Sequence, residues 1–195
     1  MSIIKVSIDK IYGILEPVDL ELIKERVEVS NSMLSDGNDF LGWVDLPEQI
    51  TPAQLDAVND CAKSLASLAE VIVVIGIGGS YLGAKAVLEA MSDPFQLLHK
   101  KQDKPIVLFA GQNLSEDYLY ELLAATKPYK LAAIVISKSG TTTEPAVAFR
   151  IVKEEIETRY GKAEAAKRIV AVTDAKRGAL RTLATQEGYA TFVIP

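Results

Sequence analysis

A short apolar run leads directly into a glycine-rich loop at Val71-Ile-Val-Val-Ile-Gly-Ile-Gly-Gly-Ser-Tyr-Leu-Gly83. A second apolar run leads into a hydroxyl-rich loop at Ala133-Ile-Val-Ile-Ser-Lys-Ser-Gly-Thr-Thr-Thr-Glu-Pro145. Continuous apolar runs of this length are typical of strands that are covered on both faces of a sheet. Glycines let backbone N–H groups approach an anion, and a helix that follows points its positive end toward it. The two loops together therefore predict a pocket with a phosphate at its floor.

The alternation of strand-like and helix-like segments continues from residue 70 to the last residue. We predict strands at 71–75, 105–110, 132–136, 168–173 and 190–194, and helices near 80–91, 115–126, 142–160 and 176–187. Such alternation is typical of a parallel sheet with right-handed crossovers. We therefore predict a three-layer α/β/α domain over residues 70–195, with five parallel strands.

The order of the strands decides whether the two loops can act together. In the flavodoxin-like order 2-1-3-4-5, strands one and three are neighbours, and a crevice forms at their carboxyl ends. In the order 3-2-1-4-5-6, strand two would separate the loops. We favour the first order because it brings both loops to one crevice.

The first part of the chain has helical patterns but no strand-like run. Apolar residues recur at helical spacing between Asp19 and Ser35. Thr51 and Pro52 are typical of an N-cap and a first helical position. We expect the apolar stripe of this second helix to face a core; its members are Leu55, Val58, Ala62, Leu65 and Leu68. Residues 1–69 are therefore predicted to form a helical N-terminal extension.

The composition excludes several classes of partner. The net charge of −5 argues against a nucleic acid or a membrane surface held by general electrostatics. Cys61 is the single cysteine of the chain, which excludes an internal disulfide and is typical of the reducing cytoplasm. The start of the chain has no pattern of a secretory signal, and no apolar run approaches the ~20 residues that a membrane span needs. No group of residues has the spacing of a metal site.

The glycine-rich loop does not have the pattern of a nucleotide site. Counted from Gly76, the dinucleotide fingerprint requires a third glycine where Tyr81 stands. The predicted second strand is followed by Gln112 and offers no carboxylate for a ribose. The Walker pattern fails because Lys85 does not directly follow Gly83. No nucleotide cofactor is expected, and the loop is either a tight turn or a phosphate loop.

The hydroxyl-rich loop also has two interpretations. Thr141 and Glu144 have the spacing of a helix capping box, and Pro145 suits the first turn of a helix. A cap requires one or two hydroxyls, whereas five occur within the seven residues 137–143. The surplus of hydroxyl donors favours a bound phosphate.

Three motifs, taken together, resemble the glucose-6-phosphate isomerases of the bacterial type and, more broadly, the sugar isomerase (SIS) domain superfamily. The motifs are Gly76-Ile-Gly-Gly-Ser-Tyr-Leu-Gly83, Ser137-Lys-Ser-Gly-Thr-Thr-Thr-Glu-Pro145 and Gly42-Trp-Val-Asp-Leu-Pro47. The resemblance implies a flavodoxin-like SIS domain that binds the phosphate of glucose 6-phosphate or fructose 6-phosphate. Carried over by position, it implies that the phosphate contacts Gly79, Ser80, Ser137, Lys138, Ser139 and Thr142. It also implies a cytoplasmic homodimer of glycolysis and gluconeogenesis that needs no metal or other cofactor.

The resemblance also indicates what the chain lacks. Family members carry a second SIS domain, and their catalytic glutamate, histidine and lysine lie in the later part of the chain. The single histidine, His99, matches none of those positions, and we expect it to be a solvated surface residue. The chain is therefore expected to be the N-terminal phosphosugar-binding part of the enzyme, without catalytic residues and inactive alone. The alternative is a stand-alone SIS domain that acts as a phosphosugar sensor.

Overall fold

The computed structural model of the chain describes residues 17–35, 43–95 and 104–194, and the single residues 7, 14 and 41. His99 lies outside the described residues. The chain forms two compact units, Met1–Ile50 and Thr51–Pro195. None of the helices in the described ranges combines the length and the apolar character that a membrane span requires.

The first unit contains two described helices. Helix α1 spans Pro17–Ser35, which confirms the helix predicted there, and the single-turn helix α2 spans Leu46–Gln49. Pro47 occupies the first turn of α2, where its missing N–H costs nothing.

The second unit is an alternation of helices and strands. Its helices are α3 (Pro52–Leu68), α4 (Gly79–Met91), α5 (Glu116–Thr126), α6 (Thr143–Tyr160), α7 (Lys162–Arg168) and α8 (Ala179–Glu187). Its strands are β1 (Val71–Ile75), β2 (Ile106–Ala110), β3 (Leu131–Ser137), β4 (Ile169–Thr173) and β5 (Ala190–Val193). All neighbouring strands pair in parallel, in the order β2-β1-β3-β4-β5. The predicted α/β fold and its strand order are confirmed.

The register of the sheet sets the positions of the loops. Ile75, the last residue of β1, pairs with Val135, so β3 extends two residues further to Ser137. Ser137 in turn pairs with Thr173, the last residue of β4. The loops that follow β1, β3 and β4 therefore leave the sheet side by side at the same edge.

Both faces of the sheet carry buried apolar side chains. On one face, the odd-numbered residues of β1 pack with residues of helices α5, α6, α7 and α8, such as Leu119, Phe149, Ala165 and Leu180. On the other face, Ile72 and Val74 pack with Leu65 and Ala69 at the end of α3. This alternation explains why the strands are apolar at consecutive positions.

Two helical details differ from the sequence-based predictions. The apolar stripe of α3 does not face a core along its whole length, because Leu55 is 53% exposed and Val58 is 50% exposed. A helix of 17 residues is about 25 Å long, whereas a strand of five residues reaches about 17 Å, so only one end of α3 can cover the sheet. Helices α2 and α7 were not predicted, since segments of four and seven residues are too short to show a helical period.

Candidate functional site

A cavity of about 360 Å³ lies where the loops after β1, β3 and β4 meet. Its lining combines apolar side chains with hydroxyls, one lysine and one carboxylate: Ile77, Ser80, Ile136, Ser137, Lys138, Ser139, Thr142, Pro145 and Asp174. Five of the six residues predicted to contact a phosphate are among them. The sixth, Gly79, is the first residue of α4, next to Ser80.

The glycine-rich loop brings Ser80 to the cavity through a tight turn. Gly78 precedes α4 with a φ of +57°, a conformation that residues with a Cβ rarely adopt. A Cβ on Gly76 would lie only 3.0 Å from the Cβ of Ser80. The amide N–H of Ser80 donates to the carbonyl of Ile77 over 3.1 Å. The glycines thus let α4 begin directly beside the end of β1.

The hydroxyl-rich loop is held by its own side chains. The Oγ of Ser137 accepts a hydrogen bond from the N–H of Gly140 over 3.1 Å. The Oγ of Ser139 accepts bonds from the N–H and the hydroxyl of Thr141, each over 3.2 Å. The hydroxyls of Ser139 and Thr142 lie 3.4 Å apart. This network brings the hydroxyls of Ser139, Thr141 and Thr142 together, and Ser139 and Thr142 are among the residues that line the cavity.

The capping box that the sequence offered as the alternative interpretation of this loop, Thr141 with Glu144, does not form. The N-cap of α6 is Thr142 rather than Thr141, and its side chain makes no capping hydrogen bond. The hydroxyl of Thr141 instead points back to Ser139, because Gly140, with a φ of +69°, turns the loop between them. Since Thr142 and Pro145 line the cavity, the positive end of an 18-residue helix lies there.

The loop after β4 supports the hydroxyl-rich loop from the other side. The buried hydroxyl of Thr173 donates to the carbonyl of Ser137 over 2.7 Å. The N–H of Leu180 donates to the carbonyl of Gly140 over 3.3 Å. A Cβ on Gly178 would lie 2.4 Å from the carbonyl oxygen of Ser139. The path of the hydroxyl-rich loop therefore depends on a loop some forty residues later in the chain.

Asp174 is the lining residue that sequence reasoning missed. Its Oδ1 accepts hydrogen bonds from the N–H groups of Lys176 over 2.7 Å and of Arg177 over 2.8 Å. These bonds, assisted by the charges of Arg177 and Arg181, hold the pKa of the Asp174 carboxyl below its usual range. The carboxylate is therefore ionised at neutral pH. The signal available in the sequence was its position, directly after a strand whose carboxyl end reaches the predicted crevice.

A second cavity, of about 350 Å³, lies between α6 and α8. It shares Ser137, Thr142 and Pro145 with the first cavity, and its other lining residues are mainly apolar, such as Val135, Phe149 and Leu183. Across the ranges that the structure describes, no group of three or more histidine, cysteine, aspartate or glutamate residues could hold a metal ion. Two cations, Arg150 and Lys153, also line this second cavity, and Lys153 pairs with Glu157 over 2.7 Å. The cluster of loop hydroxyls at the carboxyl ends of β1 and β3 belongs to the first cavity.

Comparison with known proteins gives a consistent family assignment. A family model described as phosphoglucose isomerase matches residues 15–183 of the chain. The chain is 52% identical over 199 residues to the glucose-6-phosphate isomerase of Parabacteroides distasonis, covering 100% of the chain and 44% of that protein. It is 46% identical over 196 residues to the glucose-6-phosphate isomerase of Clostridium perfringens, covering 97% of the chain and 44% of that protein.

Solved structures show the same similarity. The crystal structure of the hypothetical protein TT0462 from Thermus thermophilus matches with a TM-score of 0.73 and 27% identity, covering 92% of the chain and 41% of that protein. A glucose-6-phosphate isomerase from Chlamydia trachomatis matches with a TM-score of 0.55 and 26% identity, covering 72% of the chain and 26% of that protein. The chain spans less than half the length of the curated relatives that it matches.

Proposed function

The chain belongs to the phosphoglucose isomerase family, and we propose that it binds the phosphate group of glucose 6-phosphate or fructose 6-phosphate in the cavity between its glycine-rich and hydroxyl-rich loops. The proposed contacts are Gly79, Ser80, Ser137, Lys138, Ser139 and Thr142. The whole protein would interconvert the two sugar phosphates in glycolysis and gluconeogenesis, since its curated relatives are named glucose-6-phosphate isomerase. Its cytoplasmic location and its assembly as a homodimer remain expectations from the resemblance.

The observation that supports phosphate binding is the convergence of two loops on one cavity. Ser80, Ser139 and Thr142, which carry hydroxyl groups, line it together with Lys138. The first turn of α6 adds the partial positive charge of a helix N-terminus. Hydroxyls, an ammonium group and a helix start are the groups with which proteins bind phosphate without a metal.

We further propose that the acid–base groups of the reaction lie in the part of the relatives that the chain does not match. Isomerisation moves a proton between C1 and C2, which needs a base with a pKa near neutral pH. Among the cavity residues described above, Asp174 is the single carboxylate, and its lowered pKa makes it a weak base. The cavity would therefore hold the substrate by its phosphate while other groups carry out the proton transfer.

The test of phosphate binding is a titration of the chain with glucose 6-phosphate, followed by calorimetry or amide chemical shifts. We expect saturable binding that Ser80→Ala weakens about fivefold to tenfold, because the variant removes one hydrogen-bond donor to the phosphate. Ser67→Ala is the matched control, since the Ser67 hydroxyl is exposed on α3 and bonds its own helix at the Ser64 carbonyl. Absence of saturable binding, or equal affinities of the two variants, would contradict the proposal.

A coupled assay tests the placement of the catalytic groups. We expect the 195-residue chain to bind glucose 6-phosphate without forming fructose 6-phosphate above the uncatalysed rate. Turnover by the chain that Ser80→Ala reduces would show that the catalytic groups lie within it.

A further inference from the structure

Asp174 places a negative charge in a cavity whose other polar groups suit an anion. The loop hydroxyls, Lys138 and the start of α6 are all donors or positive charges, whereas a carboxylate repels a phosphate oxygen that faces it. The hydrogen bonds that Asp174 accepts from the N–H groups of Lys176 and Arg177 do not require a charged side chain. Asparagine could accept the same N–H bonds through its side-chain oxygen.

The geometry leaves one oxygen of Asp174 available to a ligand. Oδ1 is used by the N–H groups of Lys176 and Arg177. Within the part of the chain that the structure describes, no group hydrogen-bonds to Oδ2. An ionised carboxylate oxygen accepts hydrogen bonds from hydroxyl groups and cannot donate one to a phosphate.

We propose that Asp174 is a specificity-determining residue that makes the cavity select phosphate esters carrying hydroxyl groups over inorganic phosphate. This inference rests on the proposed binding of a sugar phosphate in the same cavity. At neutral pH inorganic phosphate keeps one or two P–OH groups and spreads its negative charge over the other oxygens. A P–OH group that donates to Oδ2 therefore brings those charged oxygens close to the carboxylate, which opposes the contact. A sugar phosphate turns its ester oxygen and its neutral hydroxyls away from the loops, and a hydroxyl can donate to Oδ2. The carboxylate of Asp174 therefore weakens the binding of inorganic phosphate and strengthens the binding of the sugar phosphate.

The decisive variant is Asp174→Asn, because it removes the charge and keeps an acceptor for the N–H groups of Lys176 and Arg177. Its matched control is Asp56→Asn, which changes the net charge equally at an exposed position on α3 that does not line the cavity. Dissociation constants for inorganic phosphate and for glucose 6-phosphate are measured by calorimetry on the 195-residue chain at one ionic strength. Thermal unfolding of each variant confirms that it is folded.

We expect Asp174→Asn to bind inorganic phosphate about tenfold more tightly, since one nearby like charge is removed. Its affinity for glucose 6-phosphate should fall or stay within about twofold, because loss of the hydroxyl acceptor offsets the lost repulsion. The preference for the ester therefore drops about fivefold or more, whereas Asp56→Asn leaves it unchanged. An unchanged preference in Asp174→Asn, or an equal gain for both ligands, would overturn the inference.

The unsubstituted chain provides a second test that does not depend on the variant folding. It should bind glucose 6-phosphate at least about tenfold more tightly than inorganic phosphate, with methyl phosphate between them because it has the ester but no hydroxyls. Equal affinities for the three ligands would refute the role of Asp174 while leaving phosphate binding intact. Binding of none of them would refute the proposed function, and this inference with it.

Discussion

Gly178 makes the closest backbone approach at the candidate site. It lies before α8 with φ +95° and ψ 152°, and a Cβ there would be 2.4 Å from the carbonyl oxygen of Ser139. Gly161, before α7, has nearly the same backbone angles, φ +75° and ψ 158°, but no atom lies within 4 Å of its would-be Cβ. Alanine substitutions at the two glycines therefore share the cost of a strained backbone, whereas the cost of a steric clash arises at Gly178 alone.

We predict that alanine costs more at Gly178 than at Gly161. Gly161→Ala should lower the free energy of unfolding by about 1–2 kcal/mol, from the strained backbone alone. Gly178→Ala should cost at least about 1 kcal/mol more, because the hydroxyl-rich loop must move away from the new methyl group. It should also weaken the binding of glucose 6-phosphate, which Gly161→Ala leaves unchanged. Urea unfolding and a ligand titration measure both effects, and equal losses of stability would argue against the contact.

Tyr189 is a buried residue whose hydroxyl has no hydrogen-bond partner in the described structure. Its ring packs edge-on against Phe149. Burial, assisted by the negative charges of Glu187 and Glu157, raises the pKa of the hydroxyl above its usual value of 10. The folded chain therefore keeps this proton at a pH where the unfolded chain has lost it.

We predict that Tyr189→Phe changes the alkaline stability of the protein. At neutral pH, the variant should be as stable as the unsubstituted chain to within about 0.5 kcal/mol, since no hydrogen bond is lost. Above pH 10 the unsubstituted chain should lose stability more steeply, because only its unfolded state releases the Tyr189 proton. Urea unfolding across that range compares the two slopes. Parallel slopes would mean that Tyr189 ionises as readily in the folded chain.

The residues missed at the site share a physical reason. Ser80, Ser137, Ser139 and Thr142 belong to loops whose composition is unusual in itself, so the sequence indicates them directly. Asp174 and Gly178 become site residues only through the pairing of β3 with β4, which places two loops distant in sequence against each other. A local sequence pattern does not indicate how two strands pair, so it could not indicate these two residues.

At the scale of elements, α7 connects α3 to the rest of the second unit. The buried side chain of its last residue, Arg168, donates to the carbonyl of Leu68, where the C-terminus of α3 has an unsatisfied acceptor. The guanidinium also bonds Glu164 over 3.2 Å and lies 4.1 Å from the ring centre of Tyr160. A positive charge at a helix C-terminus is favourable because of the helix dipole.

We predict unequal costs for two adjacent cations that both contact Glu164. Arg168→Met should lower the free energy of unfolding by about 2–3 kcal/mol, since charged hydrogen bonds at a buried position are lost. Lys167→Met should change it by less than about 0.5 kcal/mol, because the Lys167 side chain is 66% exposed. Chemical denaturation of both variants measures the difference. Similar costs would show that the contact with Leu68 contributes little.

The strands and the larger helices could be predicted because their patterns are local. Buried parallel strands are continuously apolar, and each of the five was placed within two residues of its observed bounds. The exposed first half of α3 could not be predicted in this way. Its stripe of Leu55 and Val58 has helical spacing, but exposure depends on how far the sheet extends beneath the helix. Periodicity specifies a face of a helix and not the length of its contact.

At the scale of the molecule, the boundary between the two units places α3 in the same unit as the sheet. The division at residue 69 that the sequence favours stays a prediction, whereas the compact unit of the structure begins at Thr51. Leu65 and Ala69, both nearly inaccessible, cover Ile72 and Val74 of β1. The five strands, the two core clusters and the residues lining the described cavities all lie within 51–195.

We therefore predict opposite outcomes for two truncations of the chain. Residues 51–195 alone should unfold in one cooperative transition and bind glucose 6-phosphate within about twofold of the affinity of the whole chain, because this part contains every described residue of the two core clusters and of the cavity. Residues 70–195 should be less stable than residues 51–195 by at least about 3 kcal/mol, since removal of Leu65, its neighbours and the partner of Arg168 uncovers one face of the sheet. Urea denaturation of both pieces, with circular dichroism at each step, measures the difference. If the two pieces were equally stable, the boundary would lie at residue 69. If residues 51–195 failed to fold, the second unit would depend on the first for its stability.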